Sequence, residues 1–165
     1  MLQLIHHHNT VQYHKAAVSC FFRVAAGGHM SKDRPVIAII DDDVVYLELL
    51  CDFLADEGYA TICCRYGHEA QRMIRAGRPD LVILDVRLEQ PESGWIVLEL
   101  LRRVSATKDI PVLLCSADSM YLREMEHELR MQPYDLLEKP FDLDILLEKV
   151  RSALAPLPAT PSSGA

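Results

Sequence analysis

Five short runs of branched apolar residues recur along the chain, each closed by polar turn formers. The central one is Leu81-Val82-Ile83-Leu84, held between Asp80 and Asp85. A continuous apolar run of this length suits a strand buried on both faces of a parallel sheet. Val36-Ile37-Ala38-Ile39-Ile40, Tyr59-Ala60-Thr61-Ile62-Cys63-Cys64, Ile110-Pro111-Val112-Leu113-Leu114-Cys115 and the shorter Tyr134 to Glu138 share that character. Pro111 sits near the start of its run, where a proline is tolerable. Between the runs the apolar period changes to that of a helix. Leu47, Leu50 and Leu54, with Phe53 beside them, mark the first helical face, and Ala70, Met73 and Ile74 the second. Val97, Leu100, Leu101 and Val104 mark the third, and Leu122, Met125 and Leu129 the fourth, which is highly charged on its other side. Leu143, Leu146, Leu147, Val150 and Leu154 mark the last. Asp43 and Asp142 are candidate N-caps, and Gly58 and Gly77 are stop signals with Pro79 beyond the second.

Strands alternating with helices predict an α/β fold, a doubly wound parallel sheet of five strands with five helices covering both faces. The patterned domain spans residues 34–155. Residues 1–33 read as an N-terminal extension, largely disordered, and 156–165 as a flexible tail rich in Pro, Ser and Ala. His6, His7, His8 and His14 read as incidental rather than as a metal site. The apolar stretch from Ala16 to Ala26 is broken by Arg23 and lacks a small-x-small cleavage site, so it is a poor secretion signal.

Composition narrows the function. The chain has 165 residues, half of them hydrophobic, and a formal net charge of −7. That balance disfavours non-specific binding to nucleic acid or to anionic membranes and is compatible with holding a cation. No apolar run approaches the roughly 18 residues of a membrane span. The five cysteines are odd in number and form no CxxC pair. They are expected to be reduced, mostly buried thiols of a cytoplasmic protein. Cys63 and Cys64 are adjacent in a strand and should point to opposite faces.

Chemistry collects where the strands end, the edge at which open parallel sheets build their ligand sites. The first run ends in Asp41-Asp42, the third in Asp85, the fourth in Cys115-Ser116-Ala117 and the fifth in Lys139-Pro140. Each has a bland reading alone, as a turn, a cap or a surface lysine. All of them on one edge do not. Two carboxylates about 4 Å apart repel by about 4 kcal/mol at an effective dielectric near 20. A group of three therefore calls for a cation, and all-oxygen ligands suit a hard ion such as Mg²⁺. A carboxylate left free beside that ion can act as a nucleophile towards phosphorus. Lys139 supplies a positive charge for an anion, and Ser116 a donor.

The motifs Ile-Ile-Asp-Asp-Asp, Leu-Val-Ile-Leu-Asp, Leu-Leu-Cys-Ser-Ala and Leu-Leu-Glu-Lys-Pro-Phe, spread over residues 34–155, resemble those of the response regulator receiver domains of two-component signalling, in particular single-domain, chemotaxis-regulator-like members. The resemblance implies the flavodoxin-like strand order 2-1-3-4-5. It implies that Asp85 is the phosphoacceptor. Asp42 would ligate Mg²⁺ directly and Asp41 through water, with Asp85 and the backbone carbonyl of Arg87 completing the protein ligands. Ser116 would be the switch hydroxyl, with the Ala117 amide beside it. Lys139 would pair with the phosphoryl oxygens, aimed by a cis Lys139-Pro140 peptide. Two positions depart from the family pattern. Leu136 stands where many members carry the switch aromatic, although Tyr134 lies two residues earlier. The loop after Asp85 lacks the common Met-Pro and is one residue longer before Gly94.

The expected function is thus a phosphorylation-dependent switch. A histidine kinase or histidine phosphotransfer protein would be the donor. A downstream protein target would be read through the fourth helix, fifth strand and fifth helix, without direct contact to nucleic acid or membrane, and a homodimer is compatible with this. A stand-alone receiver is expected, as no output domain follows Ala155. At most slow self-dephosphorylation is expected, not enzymatic turnover. One alternative is a degenerate receiver acting as a scaffold without phosphorylation. Another is an aspartyl-phosphate hydrolase, disfavoured because Arg87 stands where such enzymes carry a second Asp.

Overall fold

Alternation along the strands divides the interior into two layers. The computed structural model describes residues 34–88, 90, 93–120, 122–123 and 134–155, together with the backbone of three strand segments before residue 24. In chain order the elements are β1 (Gln3–His7), β2 (Thr10–His14), β3 (Cys20–Arg23), β4 (Val36–Ile40), α1 (Val44–Asp56), β5 (Ala60–Cys64) and α2 (Gly67–Gly77). They continue with β6 (Leu81–Asp85), α3 (Ser93–Arg103), β7 (Val112–Ser116), β8 (Tyr134–Glu138) and α4 (Leu143–Leu154). The five apolar runs form the parallel strands, ordered β5-β4-β6-β7-β8, which is 2-1-3-4-5 counting from β4.

Ile37, Ile39, Leu81, Ile83, Leu113 and Cys115 face one way, against Leu47, Leu50 and Leu54 of α1 and Leu146 and Val150 of α4. Ala38, Ile40, Val82, Leu84, Val112 and Leu114 face the other way, against Ala70, Met73 and Ile74 of α2 and Val97, Leu98 and Leu101 of α3. Each fully buried Leu or Ile contributes about 1.5–3 kcal/mol of transfer free energy. Cys63 joins the first layer and Cys64 the second, as alternation requires.

The caps follow their sequence signals at α1 but not throughout: Asp142 stands at the N-cap of α4 without a side-chain cap hydrogen bond, and α2 runs through Gly77 to a left-handed cap at Arg78. Asp43 accepts hydrogen bonds from the amides of Val45 and Tyr46 at the start of α1. Gly58, just past its end, has φ +96°, where a side chain would be strained. Four helices have described bounds rather than five. Residues 119, 120, 122 and 123 are helical, and the remainder of the expected fourth helix lies outside the described residues.

Two expectations are corrected. Against the disorder expected over 1–33, β1, β2 and β3 are strands, and β3 pairs antiparallel with β5 in the register Cys20↔Cys64 to Arg23↔Thr61. The outer edge of β5 carries backbone groups that β4 does not satisfy, and an added strand supplies partners for them. The rest of 1–33 and the tail 156–165 lie outside the described residues. Against five reduced thiols, Cys51 and Cys63 form a disulfide between α1 and β5, while Cys64 and Cys115 are free and buried. Helical spacing puts Cys51 on the same buried face as Leu47 and Leu54, directly over β5, with a Cα–Cα distance of 6.6 Å.

The start of α3 is pressed against the end of β6 at Gly94. A Cβ there would run into the carbonyl oxygens of Asp85 and Val86 and the Cα of Val86. These are backbone atoms and cannot swing aside. Gly94→Ala is expected to cost about 2 kcal/mol, measured as a lowered urea midpoint with an unchanged slope.

Candidate functional site

The same alternation that packs the core delivers charged groups to one side of the strand ends. Asp85 is the last residue of β6 and has the parity of Leu81 and Ile83. Asp41 follows β4 with the parity of Ile37 and Ile39. Lys139 follows β8 with the parity of Leu137. All three therefore lie on the α1–α4 side. Lys139 Nζ donates to Asp41 Oδ2 at 2.6 Å and to Asp85 Oδ2 at 2.5 Å, and these side chains are only 14%, 4% and 11% exposed. Asp42 completes the acidic group. Asp41, Asp42 and Asp85 each offer an oxygen within 4.8 Å of the others.

The backbone fixes these side chains. The Asp43 amide donates to Asp41 Oδ1 at 3.0 Å, and the Arg87 amide to Asp85 Oδ1 at 2.8 Å. Asp43 thereby links the acid run to α1, since its own carboxylate caps the helix. The Lys139 amide donates to the Ser116 carbonyl at 2.8 Å, and the Lys139-Pro140 peptide is cis.

Ser116 is fully buried, but it has the parity of Val112 and Leu114, the other layer. Its Oγ accepts from the Asp118 amide at 3.1 Å. The structure thus gathers Asp41, Asp42, Asp85 and Lys139, and leaves the Ser116 hydroxyl bound to its own turn. Ala117 is exposed in that turn. The Arg87 side chain is exposed and pairs with Asp118, bridging the loops that follow β6 and β7.

Tyr134 does not replace the missing switch ring. It pairs in register with Val112, at the end of the sheet remote from Ser116. Arg102 holds it there, with Nε donating to the Tyr134 hydroxyl at 2.7 Å and the guanidinium 4.5 Å from the ring centre. Leu136 packs against the α2–α3 layer. The aromatic group at the site is instead Tyr46, in the first turn of α1, which sequence reasoning passed over. Its ring centre lies 4.5 Å from Lys139 Nζ, and the Phe141 ring meets it edge-on at 5.7 Å. The available signal was an aromatic in the helical turn that follows the acid run.

One ammonium serves two carboxylates. Burial works against the charge on Lys139, but Asp41 and then Asp85 outweigh it, and the lysine's pKa lies above its ordinary value. Burial raises the pKa of Asp41, Lys139 lowers it and Asp85 raises it again, leaving it above the ordinary carboxylate value. A carboxyl with a raised folded-state pKa binds more protons folded than unfolded. Its stability contribution is present below the unfolded value near 3.8 and is lost as pH rises through the folded value. Asp41→Asn is therefore expected to unfold at higher urea than wild type at pH 7. The difference should vanish as both are taken below the ordinary Asp pKa.

Known proteins agree with this architecture. The family model described as the response regulator receiver domain matches residues 37–151. The response regulator MprA of Mycolicibacterium vanbaalenii is 35% identical over 131 residues, covering 78% of this chain and 53% of that protein. The DNA-binding dual master transcriptional regulator RpaA of Synechocystis is 34% identical over 123 residues, covering 73% and 49%. The chain thus spans about half the length of these curated relatives. Among solved structures, the receiver domain of NtrX from Brucella abortus superposes with a TM-score of 0.63 at 28% identity, covering 72% of this chain and 97% of that one. The chemotaxis response regulator CheY4 of Vibrio cholerae gives 0.65 at 23% identity, covering 73% and 99%, a likeness of fold. Among the described residues no helix is long and apolar enough to cross a membrane. With family model and relatives in agreement over most of its length, this chain belongs to the response regulator receiver domains of two-component systems.

Proposed function

We propose that residues 34–155 act as a phosphorylation-dependent switch in which Asp85 receives a phosphoryl group from a histidine kinase or histidine phosphotransfer protein. The observation that carries this reading is the Lys139 bridge between Asp41 and Asp85 beside Asp42. Three carboxylates and one ammonium leave two net negative charges, which a divalent cation balances. The donors are all oxygens, as a hard ion requires. Asp41, Asp42, Asp85 and the Arg87 carbonyl are the groups that would hold Mg²⁺. When bound, that ion would offset the charge of the acceptor and of the incoming phosphoryl oxygens.

The chain's own groups do the rest. An Asp85 carboxylate oxygen forms the new bond to phosphorus as the phosphorus–nitrogen bond to the donor imidazole breaks. The bonding electrons go to that imidazole nitrogen, which takes up a proton. Lys139 pairs with the phosphoryl oxygens, which compete with Asp41 for its hydrogens. The Ser116 hydroxyl leaves the Asp118 amide to donate to the same group, with the Ala117 amide beside it. That exchange shifts a pre-existing equilibrium at the surface after β7, in β8 and in α4. A downstream protein reads the change there, and a second copy of the chain is an equally suitable reader.

Receiver domains are phosphoacceptors, and slow loss of the group, not turnover of free substrates, is the expected activity here. The proposed setting is cytoplasmic, beside the kinase's catalytic region. Incubation with acetyl phosphate and Mg²⁺ is expected to add one phosphoryl group to the intact protein by mass spectrometry. Asp85→Asn, or removal of the metal with a chelator, should abolish the gain. No gain in wild type from acetyl phosphate or from any kinase would sink the proposal in favour of a phosphorylation-independent scaffold.

A further inference from the structure

Lys139 has three N–H donors. Two go to Asp41 Oδ2 and Asp85 Oδ2. On a third side the ammonium meets the ring of Tyr46, 4.5 Å from its centre, within the range of cation–π attraction. The ring is itself held from two directions. The Tyr46 amide donates to the Asp43 cap at 3.2 Å, which sets its place on α1. Phe141, two residues past Lys139, packs on it in an edge-on arrangement at an interplanar angle of 72°. Tyr46 and Phe141 both pack against the α1–α4 core layer. A lysine side chain has four rotatable bonds and a large freedom to lose, and two short carboxylates alone leave that stem free to swing. The ring closes a further side of the ammonium, and the lysine side chain is only 14% exposed.

We propose that Tyr46 is a positioning residue for phosphoryl transfer, its ring face holding the Lys139 ammonium at the acceptor. The proposal rests on Asp85 being the phosphoacceptor and goes beyond it by assigning a role to a residue on α1. The ring, rather than the hydroxyl, is the active part of the proposal, because the ammonium lies over the ring at cation–π distance. The arrangement also ties α1, through the Tyr46 ring, to the turn between β8 and α4 that carries both Lys139 and Phe141.

Tyr46→Leu keeps the apolar bulk and removes the ring, and Tyr46→Phe keeps the ring and removes the hydroxyl. Tyr46→Leu is expected to slow labelling by acetyl phosphate with Mg²⁺ by about three- to tenfold, while Tyr46→Phe stays within about twofold of wild type. Urea midpoints identify variants that have lost their fold. In NMR spectra of the resting protein, the Lys139 ε-methylene protons should be shifted upfield by the ring in wild type and Tyr46→Phe. They should lie at the ordinary lysine position in Tyr46→Leu. Folded Tyr46→Leu that labels at the wild-type rate, or Tyr46→Phe that slows as much as Tyr46→Leu, overturns the proposal. So does a wild-type lysine with no ring shift, which decides the matter even where Tyr46→Leu does not fold. Wild type that takes no phosphoryl group overturns the phosphoacceptor reading itself, and this proposal with it.

Discussion

Lys139 reaches two carboxylates that belong to different strands, Asp41 after β4 and Asp85 at the end of β6, and does so from a third. Burying two acids side by side is unfavourable, since each loses hydration and repels the other. The ammonium offsets part of that cost and in doing so sets the relative positions of β4, β6 and β8 at the working edge. Much else in the fold serves this contact. The cap at Asp43 orders the acid run, the Lys139 amide ties to Ser116, and Gly94 lets α3 close over the end of β6.

The cost is not fully recovered in the resting protein. Asp41 keeps a pKa above its ordinary value even with a lysine at 2.6 Å, chiefly because it is buried and further because Asp85 lies beside it as a like charge. A site held in this state has an unmet demand for positive charge. It is kept folded by the apolar layers on either side, where Leu47, Leu54, Ile83 and Leu101 are almost wholly removed from water. Stability is made in the helical layers and spent at the strand ends, a division common in proteins whose active groups are buried.

The five parallel strands were legible because burial on both faces leaves a continuous apolar run, and their ends were legible because acids and a lysine cannot belong to that run. Asp41, Asp42, Asp85 and Lys139 could be assembled from this alone. The three N-terminal strands were not legible. β3 lies inside the apolar stretch from Ala16 to Ala26, which Arg23 interrupts, and β1 and β2 mix apolar residues with His, Gln and Thr, so neither pattern stood out as a strand. Helical spacing puts Cys51 on the buried face of α1, but the Cys51–Cys63 disulfide and the contact between Tyr46 and Lys139 depend on which strand end each residue of that helix lies over, which no local spacing encodes. Ser116 was placed correctly in the chain, but its present partner, the Asp118 amide, follows from a turn geometry that side-chain type does not specify.

The parity of the strands bears on which lengths evolution can change. Asp85 faces the α1–α4 side because it lies four positions past Leu81 and two past Ile83, an even step in each case. Inserting or deleting one residue between 81 and 85 would carry the carboxylate to the opposite side of the sheet and the whole apolar pattern with it. Beyond Arg87 the chain leaves the strand, and no alternation of faces constrains its length there. Lineages of this fold can thus drift in loop length around the site while the strand that presents Asp85 stays locked to a single count.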